Sequence, residues 1–321
     1  MTVLPRQLRI NLWRRMLRIP GDEQLAPITF KTAETRNEFE QAFTVLHDAY
    51  VEVGYQSPHP SGKRITVYHA LPSTVMLIAK QGDEVLGTVS IVRDNDIGLP
   101  MEKAVDLTSI RYSGKTVCEI SALSIKKEHR GKLFLPLMKY MYQFCVYHFG
   151  IEIMLATIRK NSRVNDLYQC LFCFEPIDRG ALMENYNFAN NQPVAAYKLE
   201  MQQALIDWSR LYSKSPADRN LVNYFTSKCP ENFIFPIELL GYDCKHQMST
   251  EVFDYFFTHV SETLYQLEEK ELVSLHCIMR GTGYTELLPP LPAKSTINIS
   301  TKPTLAAVPK QRPIFPTHRL E

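Results

Sequence analysis

The sequence predicts a mixed α+β fold followed by a helical region and a proline-rich tail, and three observations lead to this prediction. Between residues 37 and 201 the hydrophobic patterns follow in the order helix, hairpin, strand, helix, strand, helix, strand, which is not the alternating series of a doubly wound sheet. From residue 202 to about 285, helical patterns replace strand patterns. Beyond Leu288, seven prolines lie among Thr, Ser and Lys, a composition typical of disordered chain.

The spacing of the apolar residues locates the individual elements. The first helix of the α+β part places Phe39, Phe43 and Tyr50 on one face and stops at Gly54. Residues 55–71 are rich in Pro, His, Gly and Tyr, and a loop of this length often covers a binding site. Helices are predicted over residues 37–54, 132–149, 162–171 and 252–272. Strands are predicted over residues 74–80, 84–94, 116–125, 151–158 and 193–201.

Composition and charge limit the class of protein. The net charge of +2 over 321 residues gives no argument for a nucleic-acid partner, and none is expected. Charge is concentrated in residues 1–20, which hold five arginines and no acidic residue, interspersed with apolar side chains. We expect this segment to form a helix docked on its own domain. A peripheral membrane contact through residues 1–20 is the alternative.

The cysteines and the apolar runs indicate a cytoplasmic location. The seven cysteines are odd in number and lie mostly within apolar patterns, which favours reduced thiols. Cys170 and Cys173 have metal-like spacing, but no second Cys/His pair accompanies them, so no metal site is predicted. No apolar run approaches the roughly 20 residues that span a bilayer, and the N-terminus lacks the apolar core of a signal peptide.

The most informative stretch covers residues 117–132. An apolar strand carries a single acidic residue, Glu119, and then runs into a basic turn and a helix. A carboxylate in a buried strand is costly unless it has a partner or a catalytic role. A basic turn that leads into a helix commonly holds phosphate or another anion. An acid beside an anion site indicates a group-transfer enzyme.

The following motifs identify a family resemblance. Arg130-Gly131 at the start of a helix resembles the acyl-donor loop of the GNAT superfamily of N-acyltransferases, and residues 166–174 (DLYQCLFCF) resemble a later GNAT segment. Five ordered motifs resemble the N-acyl amino acid synthases of the FeeM type, relatives of the acyl-homoserine-lactone synthases, over roughly residues 28–285. They are residues 47–55 (HDAYVEVGY), 60–72 (PSGKRITVYHALP), 96–101 (DIGLPM), 119–123 (EISAL) and 191–195 (NQPVA).

The resemblance implies a GNAT-like sheet, mainly antiparallel and flanked by helices. It divides the chain into four parts. These are a basic amphipathic segment (1–25), a GNAT-like acyltransferase domain (26–201), a helical region (202–288) and a disordered proline-rich tail (289–321).

The donor loop departs from the general GNAT pattern at two positions. That pattern has glycines two and four places after Gly131, where this chain has Leu133 and Leu135. Glycine allows backbone N–H groups to approach a pyrophosphate closely, and leucine obstructs that approach. Acyl-coenzyme A is therefore a poorer donor than the acyl-phosphopantetheine arm of an acyl carrier protein, which the family implies. No bound cofactor is expected.

The resemblance assigns roles to residues at the matching positions. Glu119 is the candidate base for the α-amine, and Tyr168 is a candidate acid for the departing thiolate. Both have structural alternatives, a salt-bridged carboxylate for Glu119 and packing for Tyr168. Candidate contacts to the pantetheine arm and donor loop are Leu123, Ser124, Ile125, Arg130 and Gly131, with an oxyanion contact at one of these amides or at a bulge in the strand. The charge pattern adds candidate carrier-protein contacts, with a solvated basic face as the alternative; they are Lys126, Lys127, Lys132, Arg159 and Arg163. The long loop adds the candidate acceptor contacts Arg64, Tyr68 and His69, with a self-packed loop as the alternative.

The expected activity is transfer of a long-chain fatty acyl group from acyl carrier protein to the α-amine of an amino acid. The family's acceptors include aromatic amino acids such as tyrosine. An acyl-homoserine-lactone synthase that uses S-adenosylmethionine is an alternative, although the arginine that usually follows the Glu-x-Ser of those enzymes is Ala122 here. A non-catalytic acyl-binding or regulatory module is a second alternative.

Overall fold

The computed structural model describes residues 5–160, 162–183, 186–237 and 246–292. Its strands are β1 (Thr29–Thr32), β2 (Thr74–Gln81), β3 (Glu84–Arg93), β4 (Val117–Ile125), β5 (Ile153–Arg159), β6 (Glu175–Pro176) and β7 (Val194–Glu200). Its α-helices are α1 (Arg6–Met16), α2 (Asp22–Leu25), α3 (Arg36–Glu52), α4 (Thr108–Arg111), α5 (Arg130–Gln143), α6 (Arg163–Cys170), α7 (Met201–Tyr212), α8 (Leu221–Thr226), α9 (Thr250–Asp254) and α10 (Glu269–Met279). Two π-helical segments, Phe144–His148 and Tyr255–Val260, extend α5 and α9.

The strands form one mixed sheet in the order β1-β2-β3-β4-β5-β7-β6. Every neighbouring pair is antiparallel except β4 and β5, which are parallel. This confirms the predicted α+β class with a mainly antiparallel GNAT-like sheet. The predicted strands and helices of residues 37–201 agree with the observed ones to within a few residues at each end.

Side chains alternate between two cores, one on each face of the sheet. On β2, Val75 and Leu77 enter the first core, whereas Met76 and Ile78 enter the second. The first core is closed by α5 to α8, and the second by α3 and the helices of residues 246–288. The predicted helical region therefore packs against both faces of the sheet.

Helix α3 has a strong local start signal. The Thr35 hydroxyl accepts from the Glu38 N–H at 3.2 Å, and the Glu38 carboxylate accepts from the Thr35 N–H at 3.2 Å, which completes a capping box. Lys31 and Lys80 also bind the Glu38 carboxylate, although this side chain is almost fully buried. Beyond the C-terminal end, Gly54 adopts a φ of 79°, which glycine tolerates without strain.

The predicted single helix over residues 252–272 is wrong. The chain leaves the helical conformation at Ser261, with φ of −131° and ψ of 149°, and α10 begins only after Glu268. Glu268 and Glu271 form a capping box that fixes this new start. Leu264, between the two helices, is buried, so the apolar pattern continues although the helix does not.

The basic N-terminal segment contains α1, which packs against α6. Arg9 pairs with the buried Asp166 of α6, and Arg14 donates to Ser215 at 2.9 Å. Ile10 is buried, while Leu8 and Met16 are exposed. Among the described residues, no helix is both long enough and apolar enough to cross a membrane. Residues 293–321 of the predicted tail and residues 1–4 lie outside the described ranges.

Candidate active site

A cavity of about 540 Å³ opens where β4 and β5 separate. Their parallel ladder ends at the pair Ile120 and Ala156, and the remaining residues of the two strands diverge. The side chains of α3 and α6 close the cavity on either side. Backbone groups of β4 beyond Ile120 therefore have no ladder partner on β5 and face the space between the strands.

A bulge in β4 shapes one wall of this cavity. Ser90 pairs with Ser121 and Thr88 pairs with Ser124, so Ala122 and Leu123 together oppose a single residue of β3. Ala122 adopts a φ of 58°, a left-handed conformation that is unfavourable for residues other than glycine. Such strain in a buried strand commonly accompanies a functional site. The sequence is compatible with a bulge in this strand but does not locate it.

Glu119 lines the cavity and is 2% exposed. The N–H of Met101 donates to Glu119 Oε2 at 2.8 Å, and the Thr157 hydroxyl donates to Oε1 at 3.5 Å. Burial raises the pKa of Glu119 to about 8, against the opposing effect of these two donors. Among the described residues no cation forms an ion pair with it, so the alternative of a salt-bridged structural carboxylate does not describe its environment.

Two aromatic hydroxyls that the sequence analysis did not single out lie beside Glu119. The Tyr50 hydroxyl is within reach of the Ala122 N–H and of the Arg64 guanidinium. Burial raises the pKa of Tyr50 and of Tyr186, and the charge of Glu119 raises both further. The spacing of Tyr50 on α3 is that of a core residue, so the sequence pattern predicts only that it belongs to the apolar face of the helix.

The predicted acceptor residue Arg64 lies behind the cavity wall. Its guanidinium carbon is 4.2 Å from the centroid of the Tyr50 ring and 4.8 Å from that of Phe188. The guanidinium donates to Gln56 Oε1 at 2.7 Å and to the Phe188 carbonyl at 2.8 Å. No carboxylate of the described residues pairs with it. Arg64 does not itself line the cavity, but it lies directly beside Tyr50, which does.

The other two predicted acceptor residues support the loop that carries Arg64. The imidazole of His69 accepts from the Thr66 N–H at 3.1 Å, and its burial lowers its pKa to about 3, so it is neutral. Tyr68 is buried with its ring centroid 5.9 Å from that of Phe188, and burial together with the charge of Glu119 raises its pKa. Neither side chain lines the cavity.

Tyr168 lies on α6 and lines the cavity. It is 6% exposed and packs against Phe134, Phe172 and Phe174. Its hydroxyl lies 3.9 Å from the Met138 sulfur, and burial raises its pKa. The hydroxyl therefore stays protonated, while the ring also belongs to the core.

The predicted donor residues lie together at one end of the cavity. Leu123, Ser124, Ile125 and Arg130 all line it. The Arg130 Nε donates to the Ile125 carbonyl at 3.1 Å, which fixes the guanidinium beside the end of β4. Open space surrounds the position of a Cβ at Gly131, whereas Leu133, on the opposite side of the helix start, is fully buried in the first core.

The predicted carrier-protein cations differ in their surroundings. Lys126 pairs with Glu84, and Lys127 pairs with Glu52. Within the described ranges, no carboxylate pairs with the remaining three, which are Lys132, Arg159 and Arg163. Arg159 also lines the cavity mouth. The basic face near the donor loop is therefore partly neutralised by the protein's own acids.

Comparison with known proteins identifies the family. Residues 41–200 match the family model described as N-acyl amino acid synthase FeeM. Among solved structures, FeeM, an N-acyl amino acid synthase from uncultured soil microbes, is 22% identical with a TM-score of 0.47 and covers 56% of this chain and 93% of its own. The CoA-dependent acyl-homoserine lactone synthase BjaI is 19% identical with a TM-score of 0.40, and the match covers 58% of this chain and 89% of BjaI. Spermidine N-acetyltransferase from Vibrio cholerae is 13% identical with a TM-score of 0.39 and covers 56% and 99%.

No curated protein sequence matches the chain. The family match spans the strands and helices that form the cavity, from α3 to β7. Through residues 41–200 the chain belongs to the FeeM family of N-acyl amino acid synthases, and it is an N-acyltransferase.

Proposed function

We propose that the protein transfers a long-chain fatty acyl group from acyl carrier protein to the α-amine of an amino acid, giving an N-acyl amino acid. One observation carries this proposal, a buried carboxylate at the fork of two strands whose pKa is close to that of an α-amino group. Burial raises the pKa of Glu119 to about 8, and an α-amino group ordinarily titrates near the same pH. A base matched in this way removes the amine's proton at little cost in free energy.

The reaction proceeds by attack of the neutral amine nitrogen on the thioester carbonyl carbon. A C–N bond forms, the C–S bond breaks, and Glu119 accepts the proton of the amine directly or through water. Tyr50 lines the cavity, and its hydroxyl lies within reach of the Ala122 N–H at the bulge, so these donors would stabilise the negative charge that develops on the carbonyl oxygen. The sulfur leaves as a thiolate and takes a proton from the Tyr168 hydroxyl, which regains one from solvent.

A carrier protein is the donor that the donor loop favours. Leu133 and Leu135 replace the glycines that let backbone amides surround a pyrophosphate. The phosphopantetheine arm of a carrier protein brings one phosphate and needs fewer amide contacts. Lys132, Arg159 and Arg163 would attract an acidic carrier protein. The apolar walls of the cavity, with Ile120, Phe134 and Ile158 among them, suit a fatty acyl chain.

The acceptor is an amino acid whose carboxylate pairs with Arg64. This guanidinium has no carboxylate partner among the described residues and stacks on the ring of Tyr50, which lines the cavity. Phe188 and Tyr186 also line the cavity, and their rings support an aromatic acceptor such as tyrosine. Tyr68 and His69 contribute by holding the loop that carries Arg64.

Mass spectrometry of reaction products tests the proposal. The purified full chain is incubated with the standard amino acids and S-adenosylmethionine as acceptors, and with either acyl carrier protein charged with acyl chains of different lengths or acyl-coenzyme A as the donor. We expect an N-acyl amino acid from the wild type and at least a hundredfold less from Glu119→Gln. A lactone formed from S-adenosylmethionine without any N-acyl amino acid would overturn the assignment. The absence of any product from either thioester donor would favour an acyl-binding module.

A further inference from the structure

The cations of the donor loop are held by an acid from a distant helix. Glu52, the last residue of α3, pairs with Arg130, which lies 78 positions further along the chain. Its Oε1 also lies 3.4 Å from Arg130 Nη1 and 3.8 Å from Lys127 Nζ. One carboxylate thus contacts both cations that flank the start of α5 on this side.

Helix stability does not explain an acid at this position. The C-terminal end of a helix carries partial negative charge and favours cations, yet the last turn of α3 contains no basic residue. The Glu52 and Arg130 side chains are 40% and 42% exposed, and exposed ion pairs contribute little to stability. The pairing with Arg130 lowers the pKa of Glu52, so this residue is charged at neutral pH.

The position of the pair does suggest a role at the donor site. Arg130 lines both the cavity and a neighbouring groove of about 620 Å³, and Glu52 lines that groove. Acids and cations both line this groove, so that Glu52 acts there through its contacts with Arg130 and Lys127 and not through a net negative charge of the groove; the other charged lining residues are Glu40, Asp48, Glu128, Lys63 and Lys126. Glu119 and Arg130 line the same cavity, and the start of α5 favours an anion, so a donor whose thioester lies in the cavity would bind its phosphate there. The phosphate therefore approaches the Arg130–Glu52 pair.

We propose that Glu52 is a specificity-determining residue that selects the donor by charge. Its carboxylate neutralises the loop cations and repels the multiple phosphates of coenzyme A more strongly than the single phosphodiester of a carrier-protein arm. The inference rests on the proposed function, because it concerns how the same site distinguishes two acyl donors. It adds an electrostatic selection to the absence of glycines at positions 133 and 135.

Binding measurements test the inference without depending on turnover. The dissociation constants of coenzyme A and of pantetheine 4′-phosphate are measured by calorimetry for the wild type, Glu52→Gln and Asp48→Asn. We expect Glu52→Gln to tighten coenzyme A about tenfold and pantetheine 4′-phosphate by less than about threefold. Asp48→Asn is the matched control, since it removes the same charge one helical turn before Glu52. The Asp48 side chain is 72% exposed and pairs with His47, not with a cation of the donor loop. Asp48→Asn should leave the ratio of the two dissociation constants, coenzyme A to pantetheine 4′-phosphate, unchanged.

Salt and kinetics give two further readouts. The wild type should discriminate less against coenzyme A, relative to pantetheine 4′-phosphate, as ionic strength rises. The discrimination by Glu52→Gln should not weaken in this way. If the wild type turns over, Glu52→Gln should raise kcat/KM for acyl-coenzyme A relative to acyl carrier protein by a similar factor. Equal effects of Glu52→Gln on both ligands, or an equal shift of the ratio in Asp48→Asn, would overturn the inference. If the wild type shows no turnover but Glu52→Gln still changes the ratio of the two dissociation constants, the result would contradict the proposed function alone.

Discussion

At the scale of single residues, the environment of Glu119 combines two opposing effects. Burial disfavours the carboxylate, whereas the Met101 N–H and the Thr157 hydroxyl favour it. Burial prevails, so the group is protonated well below pH 8 and charged above it. Because the folded pKa exceeds the unfolded one, the stability from protonated Glu119 is present at acidic pH and is lost as pH rises through 8. Glu119→Gln is therefore expected to fold normally at alkaline pH.

A substitution at Arg64 tests how the acceptor is bound. If it binds the acceptor's carboxylate, Arg64→Met should raise KM for the amino acid by about tenfold or more and change KM for the donor little. Steady-state kinetics with the best amino acid and with its decarboxylated amine check this. The wild type should strongly prefer the amino acid, and the variant should lose that preference. An equal decrease of kcat/KM for the amino acid and for the amine would show that Arg64 only supports the loop.

At the scale of elements, the start of α3 depends on the Glu38 carboxylate. It accepts from the Glu34 and Thr35 N–H groups and pairs with Lys80 at 2.8 Å. These contacts lower the pKa of Glu38 to about 2. A lowered pKa contributes stability above the unfolded value near 4.5 and loses it as pH falls toward 2. The helix that carries Tyr50 and Glu52 is thus fixed by charge at its opposite end.

Chemical denaturation checks this account of α3. Glu38→Gln should reduce the free energy of unfolding by about 2 kcal/mol at pH 7, a value discounted for partial screening. The loss should shrink steadily as pH falls from 4.5 toward 2, because Glu38 is then protonated in the unfolded wild-type chain while it is still charged in the folded one. Glu34→Gln, at an exposed partner of Lys31, is the control and should cost much less. A loss that stays constant with pH would contradict an electrostatic origin.

Sequence patterns predicted the strands and the main helices because their apolar periods are regular over many residues. They did not predict the break after α9, since it depends on local caps at Ser261 and Glu268 within a continuous apolar pattern. The role of Tyr50 was also missed, because a tyrosine at core spacing is indistinguishable from packing until the bulge at Ala122 is located. Arg64 was selected by its loop and family motif, but its missing anion partner is a property of the fold.

At the scale of the whole molecule, the C-terminal helices complete the second core. Phe253 is fully buried, with its ring centroid 4.7 Å from that of Phe257 and 5.2 Å from that of Tyr284. The same core includes Phe39 and Phe43 of α3. The C-terminal helices therefore stabilise the helix that forms one wall of the active-site cavity.

Truncating this core should weaken the whole protein. Phe253→Ala is expected to cost about 3–5 kcal/mol, because it removes a buried ring and leaves a cavity. Thermal unfolding should show a clearly lower Tm, together with faster loss of acyl transfer on warming. Tyr265→Ala, at a side chain that is 61% exposed, is the comparison and should change Tm little. Equal Tm values for the two variants would contradict a shared core.

We propose that Glu119 accepts the proton of the acceptor amine, and the pH dependence of kcat at saturating substrates shows whether this claim is right. Burial sets the pKa of Glu119 to about 8. For the wild type, and for the exposed-loop control Glu128→Gln, kcat should rise about tenfold per pH unit below 8 and level off above it. Glu119→Gln should lower kcat by roughly 10²- to 10⁴-fold and abolish the rise of kcat with pH. A Glu119→Gln variant with the wild-type rate and the same profile would contradict the claim.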